Sequence, residues 1–210
     1  NLRSHAGNFK MLLDIIESDA DQNIKDESLI YMRTNSNDLM DTIENLKELV
    51  DIQSDLKPIK EHLNLYKYLR RMINLLSDEF VKHNVEVKIN IPNDVTVNFN
   101  PAYLESVLLN FSTNAVKYSH SERRPKIYYD LEYVNGAKVL SISDNGLGID
   151  LEKHGDALFG MYKTFHRHPN SRGIGLFMSK NQIEAMGGRI EVESKVGYGS
   201  CFKIYFNEDL

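Results

Sequence analysis

Tryptophan is absent from this chain of 210 residues, cysteine occurs once, proline five times, and no apolar run approaches membrane-span length. Each scarcity excludes something. The lone Cys201 has no internal partner, so no disulfide framework staples the fold, and a reducing compartment suits the chain. Without about 20 consecutive apolar residues or a signal-peptide pattern, the segment reads as cytoplasmic, with no membrane contact of its own; sequence upstream of Asn1 leaves room for an anchor in a parent protein. An excess of basic residues is lacking too: 25 Lys and Arg face 30 Asp and Glu, a net charge of −5, which speaks against nucleic acid as a partner. What is present is 41% apolar and 26% charged residues, enough to bury a core in one domain with an appendage.

The appendage is residues 1–56. A helical apolar pattern is already running at the first residue, with no cap ahead of it. Leu2, Ala6, Phe9, Leu13 and Ile16 repeat at spacings of four and three, and Leu29, Met32, Leu39, Met40, Ile43, Leu46 and Val50 nearly do, with Ser36 filling one seam position. The polar stretch "ESDADQNIKDES" between them supplies turn and cap residues, so two helices fold back as a hairpin. Two helices alone do not bury both seams. Pairing with a second copy, as a four-helix bundle, solves this most simply; packing on the downstream domain is the alternative.

From residue 57 to 210 the pattern changes. "VEVKINI", "KIYYDLEY" and "FKIYF" alternate with period two, as strands with one buried face do. Helical stretches lie between them, roughly Leu63 to His83, Pro101 to Tyr118 and Gly173 to Met186. Helices covering one side of a largely antiparallel sheet make a two-layer α+β domain.

Four places in this domain carry chemistry. Along "PAYLESVLLNFSTNAVKYS", Leu104, Val107, Leu108, Phe111 and Ala115 form a core stripe, while Asn110, Asn114 and Lys117 share an adjoining face. Amide oxygens there suit an Mg²⁺ ion that keeps most of its waters, and the lysine suits phosphate; an ordinary solvated face has the same pattern. In "VLSISDNGLGID", Asp144 has the parity of Leu140 and Ile142, so its carboxylate sits at a strand end on the apolar side and needs a partner. A cap for the following turn or an adenine amino group would both serve, and Gly146 and Gly148 permit close backbone approach to a planar ligand. Leu151 to Arg172 has no clear period, as a functional loop does, and holds Lys163, His166, Arg167, His168 and Arg172 in one basic run. Two histidines without further nearby ligands do not make a zinc site. Lastly, Gly173 and Gly175 open a helix with Leu176, Ile183 and Met186 on its core side, and glycines at a helix start expose N–H groups to an anion or simply ease packing.

Taken in order, "NFSTNAVKYS", "DNGLGI", "LFGMYKTF", "SRGIGL" and "GYGSCF" resemble the N, G1, F, G2 and G3 boxes of the sensor histidine kinases, within the GHKL ATP-binding superfamily. The resemblance covers nearly the whole chain, because the hairpin is similar to the family's dimerisation and phosphoacceptor domain. It implies a two-layer α/β sandwich of the Bergerat type that binds ATP with Mg²⁺. By position, Asn114 ligates Mg²⁺, Asn110 supports metal and phosphates, Lys117 contacts phosphate, Tyr118 packs near the adenine and Asp144 binds its amino group. Gly146, Gly148, Gly173 and Gly175 shape the lid and hinges, and Ile149, Arg172, Ile174 and Leu176 complete the nucleotide-binding set. The implied activity is transfer of the γ-phosphoryl group to a histidine, then to an aspartate of a response-regulator receiver domain.

The chain departs from the family in places. Its H box reads approximately H-E-L-R-[ST]-P, so "NLRSH" starts one position after the acceptor histidine, and His5 takes the proline position. On a helix His5 lies roughly 140° around and about 7.5 Å along from that acceptor, so it reads as a flanking bundle residue. Asn1 stands where the family usually has an acid that assists proton removal, and Ser4 where many members orient water for phosphatase action. Ser171 and Arg172 replace Gly-Thr in G2. Two other readings stay open: a GHKL-type ATPase, which needs a glutamate where this chain has Asn110, with Glu105 more than a turn away; and a non-catalytic nucleotide-binding dimer, which Asn1 favours.

Overall fold

The computed structural model describes residues 2–53, 59–163 and 173–207, the side chains at 45, 48, 49, 51–53 and 156 apart. Two compact units form, Asn1–Ser54 and Asp55–Leu210. In the first, helix α1 (Leu2–Glu17) and the long helix α2 (Gln22–Gln53) make the hairpin. The turn is shorter than the polar stretch suggests. Ser18 accepts from the Ala20 amide at 3.2 Å, Asp21 accepts from the Asn23 amide at 3.4 Å, and α2 is under way at Gln22, whose amide donates to Asp26 one turn on.

The seam between α1 and α2 also differs from the expected one. Leu12, Ser28, Asn35 and Thr42 are buried, the last three at intervals of seven, while Leu2, Leu13, Leu29, Met40, Ile43 and Val50 lie exposed. Of the expected seam, Phe9, Ile16, Met32, Leu39 and Leu46 are half-buried, alternating on α2 with the small polar residues, while the remaining apolar residues turn outward. Ser28 and Thr42 satisfy their hydroxyls on the carbonyls of Ile24 and Asp38, each at 2.8 Å. Asn35 bridges the helices: its amide nitrogen donates to the His5 carbonyl at 3.0 Å, and its oxygen lies 2.8 Å from His5 Nδ1. His5 is accordingly a packing residue of the hairpin.

The second unit is a two-layer α+β domain, as its alternating strands require. Strands β2 (Glu86–Asn90), β4 (Lys126–Val134), β5 (Ala137–Asp144), β6 (Arg189–Lys195) and β7 (Gly199–Tyr205) form one sheet in the order β2-β4-β5-β7-β6. Among the described strands only β2 and β4 pair in parallel. A small antiparallel pair, β1 (Glu61–Asn64) with β3 (Thr96–Phe99), stands beside it. The helices α3 (Leu65–Leu75), α5 (Pro101–Lys117) and α7 (Gly175–Ala185) form the other layer, with α5 in contact with both of its helical neighbours and with β4 and β5. Leu108, Phe111, Ile127, Tyr129 and Leu140 lie at the centre, where the Tyr129 hydroxyl sits 2.7 Å from that of Ser112.

Two expected boundaries move. The stretch Leu63–His83 is not one helix: it begins in β1, becomes α3 once Asn64 caps the Lys67 amide at 2.8 Å, and bends at Leu76 into the short α4 (Ser77–Lys82), which turns Phe80 into the core. Leu151–Arg172 is not loop throughout. Asp150 caps a one-turn helix, α6 (Leu151–His154), a 3₁₀ turn follows over Gly155–Ala157, and Leu158 is buried; residues 164–172 lie outside the described residues.

Helix α5 starts where Asn100 and Pro101 dictate. Asn100 Oδ1 accepts from the amides of Ala102 and Tyr103 at 3.0 and 3.1 Å, and its Nδ2 donates to the Ile59 carbonyl at 3.1 Å. We predict that Asn100→Ala lowers the unfolding free energy by about 1–2 kcal/mol, measured by urea denaturation; a change within error would mean that the proline alone sets the helix start.

Candidate functional site

The rotation of α5 decides which of its side chains can act. Leu104, Val107, Leu108, Phe111, Ala115 and Val116 are buried, which turns Asn110, Asn114 and Lys117 to an adjoining, half-buried face. There the amides form a relay. Asn110 Nδ2 donates to the Ser179 hydroxyl of α7 at 2.8 Å, and Asn110 Oδ1 accepts from Asn114 Nδ2 at 3.1 Å. Asn114 Oδ1 keeps its lone pairs unengaged among the described residues. Lys117 lies with its ammonium 5.5 Å from the centre of the Tyr118 ring.

Helix α7 meets this relay at its first turn. A Cβ on Gly175 would lie 2.2 Å from Asn110 Oδ1, so only glycine lets the helix begin so close to the amide. Ile174, in the N-cap position, offers no side-chain acceptor, and the first N–H groups of α7 stay uncapped. Ile174 itself is buried and Leu176 packs against the core. Gly173 has φ +68°, and its hydrogen faces the Lys163 backbone, where a Cβ would come within 2.4 Å of the carbonyl oxygen. The two ends of the basic segment are therefore close together. Arg172 and the histidines of that segment, like Asn1, lie outside the described residues.

Asp144 ends the central strand β5. Its Oδ1 accepts from the Gly146 amide at 2.7 Å and from the Ser200 amide at 3.3 Å; Oδ2 takes no hydrogen bond among the described residues. Burial pushes its carboxyl above the ordinary carboxylate range, partly opposed by the Gly146 and Ser200 amides and by the charge of Arg123. The turn that follows is tied on every side. The Leu147 amide donates to the Tyr118 carbonyl at 2.9 Å, the Ile149 amide donates to the Ser194 hydroxyl at 2.7 Å, and Asn145 bonds the backbone of Lys126 and Arg124. Gly148, at φ +68°, abuts the Lys195 carbonyl with no room for a side chain.

This fold has known counterparts. Residues 99–210 match the family described as "Histidine kinase-, DNA gyrase B-, and HSP90-like ATPase". The chain belongs to that family. Its relatives within it are histidine kinases: the signal transduction histidine-protein kinase ArlS of Staphylococcus aureus is 27% identical over 194 residues, which are 89% of this chain and 42% of that protein. The chain thus spans about two fifths of the length of the curated relatives it matches. Among solved structures, Acinetobacter baumannii histidine kinase AdeS superposes with a TM-score of 0.73 at 20% identity, covering 100% of this chain and 98% of that one. Full-length ShkA in complex with AMPPNP gives 0.68 at 17% identity, covering 97% of this chain and 43% of that one. The match to the family lies in the second unit, and the proteins to which the whole chain is similar are histidine kinases. No helix among the described residues is long and apolar enough to cross a membrane.

Sequence reasoning missed the residues that hold the site rather than face it. Ser179 orients Asn110 from another helix, Ser194 and Ser200 stitch the turn after β5, and Arg123 bonds two loops at once. Ser179 is one turn beyond Gly175 on the same helix, and that spacing was the available signal.

The raised carboxyl of Asp144 has a stability consequence. A carboxyl whose folded-state pKa exceeds its unfolded value binds its proton more tightly when folded, so its contribution to stability is lost as pH rises through the window between the two. We predict that Asp144→Asn, which retains an oxygen for the Gly146 and Ser200 amides, raises the melting temperature at pH 7 by about 2–4 °C. The gain shrinks toward pH 4. Calorimetric melting of both proteins across that range checks it, and a lower melting temperature at pH 7 would contradict it.

Proposed function

We propose that this chain is the core of an ATP-dependent protein-histidine kinase, in which the face shared by Asn110, Asn114, Lys117 and Asp144 binds ATP and Mg²⁺. The observation that carries this reading is the amide relay: Ser179 holds Asn110, Asn110 holds Asn114, and an amide oxygen is left over beside a lysine and an uncapped helix start. That donor set fits magnesium, which prefers few protein ligands, several waters and the phosphates themselves. When bound, the ion neutralises charge on the β- and γ-phosphate oxygens.

The remaining work belongs to side chains and backbone. Asn114 Oδ1 ligates the ion and Asn110 fixes its direction. Lys117 and the first amides of α7 receive phosphate oxygens. Asp144, through Oδ2, accepts a hydrogen bond from the adenine amino group, and Tyr118 packs beside the base. Gly146 and Gly148 bring the backbone close to its plane, with Ile149, Ile174 and Leu176 around it. Holding the triphosphate in line with the attacking nitrogen is most of what such a transfer requires. The acceptor is a histidine immediately ahead of Asn1, and the phosphoryl group passes on to a response-regulator aspartate.

Homodimerisation is part of this proposal. The exposed row of Leu2, Leu13, Leu29, Met40, Ile43 and Val50 on the hairpin is covered when a second copy completes a four-helix bundle. Hydrolysis of ATP by water is disfavoured, since Asn110 offers no base and Glu105 is exposed and paired with Arg71 at 2.9 Å. A non-catalytic signalling dimer is the second reading, because the amide of Asn1 can orient an imidazole but take no proton from it.

Three measurements test the proposal. Titration calorimetry with ATP and Mg²⁺ should give saturable binding, and Asn114→Ala should weaken it about tenfold or more, near 1.4 kcal/mol; equal affinity refutes the metal role. A chain extended through the position before Asn1 should take up acid-labile, base-stable phosphate from labelled ATP, and tight binding without labelling would favour the second reading. For the dimer, Ile43→Glu should convert it to monomer in sedimentation equilibrium while leaving ATP affinity unchanged; an unchanged mass would place the interface elsewhere.

A further inference from the structure

The run "SERRPKI" between α5 and β4 reads as an exposed basic turn, yet its two arginines behave differently. Arg124 is exposed and donates through Nε to the Asn84 carbonyl at 2.9 Å. Arg123 is half-buried, and its Nη2 donates to two carbonyls from separate loops, Gly146 at 2.8 Å and Gly197 at 2.6 Å. Gly146 follows Asp144 in the turn after β5. Gly197, at φ +79°, lies in the turn between β6 and β7, and its own amide donates to the Leu147 carbonyl at 2.7 Å. One guanidinium therefore joins segments 23 and 74 residues away in sequence.

Among the described residues the buried Nε of Arg123 has no hydrogen-bond partner. A buried arginine retained for its own bonding would satisfy that donor, because an unpaired one costs stability. What its position does instead is lock two backbone planes. The Gly146 peptide whose carbonyl it holds belongs to the residue whose amide holds Asp144 Oδ1 at 2.7 Å. The β6–β7 turn leads within three residues from Gly197 to Ser200, whose amide reaches the same Oδ1 at 3.3 Å. Both donors that orient the carboxylate are thus anchored close to a carbonyl that Arg123 grips. Both bonds leave one nitrogen, Nη2, whose two N–H groups the planar guanidinium holds at a fixed angle, whereas a lysine ammonium has donors enough but no such fixed plane.

We propose that Arg123 is a positioning residue for nucleobase selection, holding the two turns in one frame so that Asp144 presents Oδ2 to an exocyclic amino group. This rests on the reading of Asp144 as the adenine acceptor. A loosened frame lets the carboxylate swing, and the contact that separates a 6-amino from a 6-oxo purine is lost. The contacts to phosphate, made from α5 and α7, are not touched by Arg123.

The test compares ATP with inosine triphosphate, whose 6-oxo group opposes a carboxylate, by calorimetric affinity in the presence of Mg²⁺. The unaltered chain should prefer ATP, and Asp144→Asn should abolish the preference. Arg123→Met should weaken ATP binding about tenfold while changing inosine triphosphate affinity less than about twofold, and Arg123→Lys should recover part of the ratio. If Arg123→Met folds poorly, Arg123→Lys still decides: a ratio equal to that of the unaltered chain overturns the proposal. A parallel fall in both affinities with the ratio intact overturns it as well, since that marks a structural role alone. If the unaltered chain shows no preference, or Asp144→Asn keeps it, the adenine assignment of Asp144 fails, and the role of Arg123 fails with it.

Discussion

The rotational setting of α5 is the constraint on which the second unit depends. Each of its buried side chains contributes on the order of 1.5–3 kcal/mol by leaving water, and together they allow the helix one orientation on β4 and β5. Phe111 against Phe202, with ring centres 4.7 Å apart, and Ser112 against Tyr129 fix it further. Because the apolar stripe admits only that orientation, Asn110, Asn114 and Lys117 inherit theirs. Function here is what remains of a helix surface after the core has claimed its share.

Asp144 shows the opposite arrangement, a group whose use conflicts with its surroundings. Burial at the end of a central strand disfavours its charge, and the fold opposes this with two amides on one oxygen and a cation nearby. Covering both oxygens would be more stabilising, yet Oδ2 is left without a protein partner among the described residues. A strand end offers this geometry: the ladder supplies N–H groups up to its last residue, and glycines at 146, 148 and 199 let neighbouring chain pass at distances a side chain would forbid.

Much of this was legible in the sequence, and the failures have physical causes. Period two and period 3.6 gave the sheet, the helices and the faces of α5, since burial imposes those periods directly. The cap at Asn64, which divides a strand from a helix inside Leu63–His83, was hidden because Leu65, Leu69 and Met72 continue a helical pattern that the preceding strand does not interrupt. The hairpin seam was legible in Phe9, Ile16, Met32, Leu39 and Leu46 but not in its polar members, for a related reason. Periodicity ranks Leu13 and Leu29 above Ser28 and Asn35, but the tight turn at Ser18–Asp21 sets which faces meet, and hydroxyls that bond their own helix can be buried at small cost. Arg123 and Ser179 gave no signal of their own, because a residue acts as a brace only through the tertiary neighbours it grips.

The mixed inner seam of the hairpin bears on why apolar residues remain on its outer face. Ser28, Asn35 and Thr42 take alternate places with the half-buried Met32, Leu39 and Leu46, so the contacts between α1 and α2 hold less free energy than an all-leucine seam would. Asn35, bonded to both the ring and the carbonyl of His5, specifies alignment more than strength. A hairpin built in this way is defined in register and weak in cohesion. Leu2, Leu13, Leu29, Met40, Ile43 and Val50 stay exposed on one chain, and in the proposed dimer their burial would add the cohesion that this seam lacks.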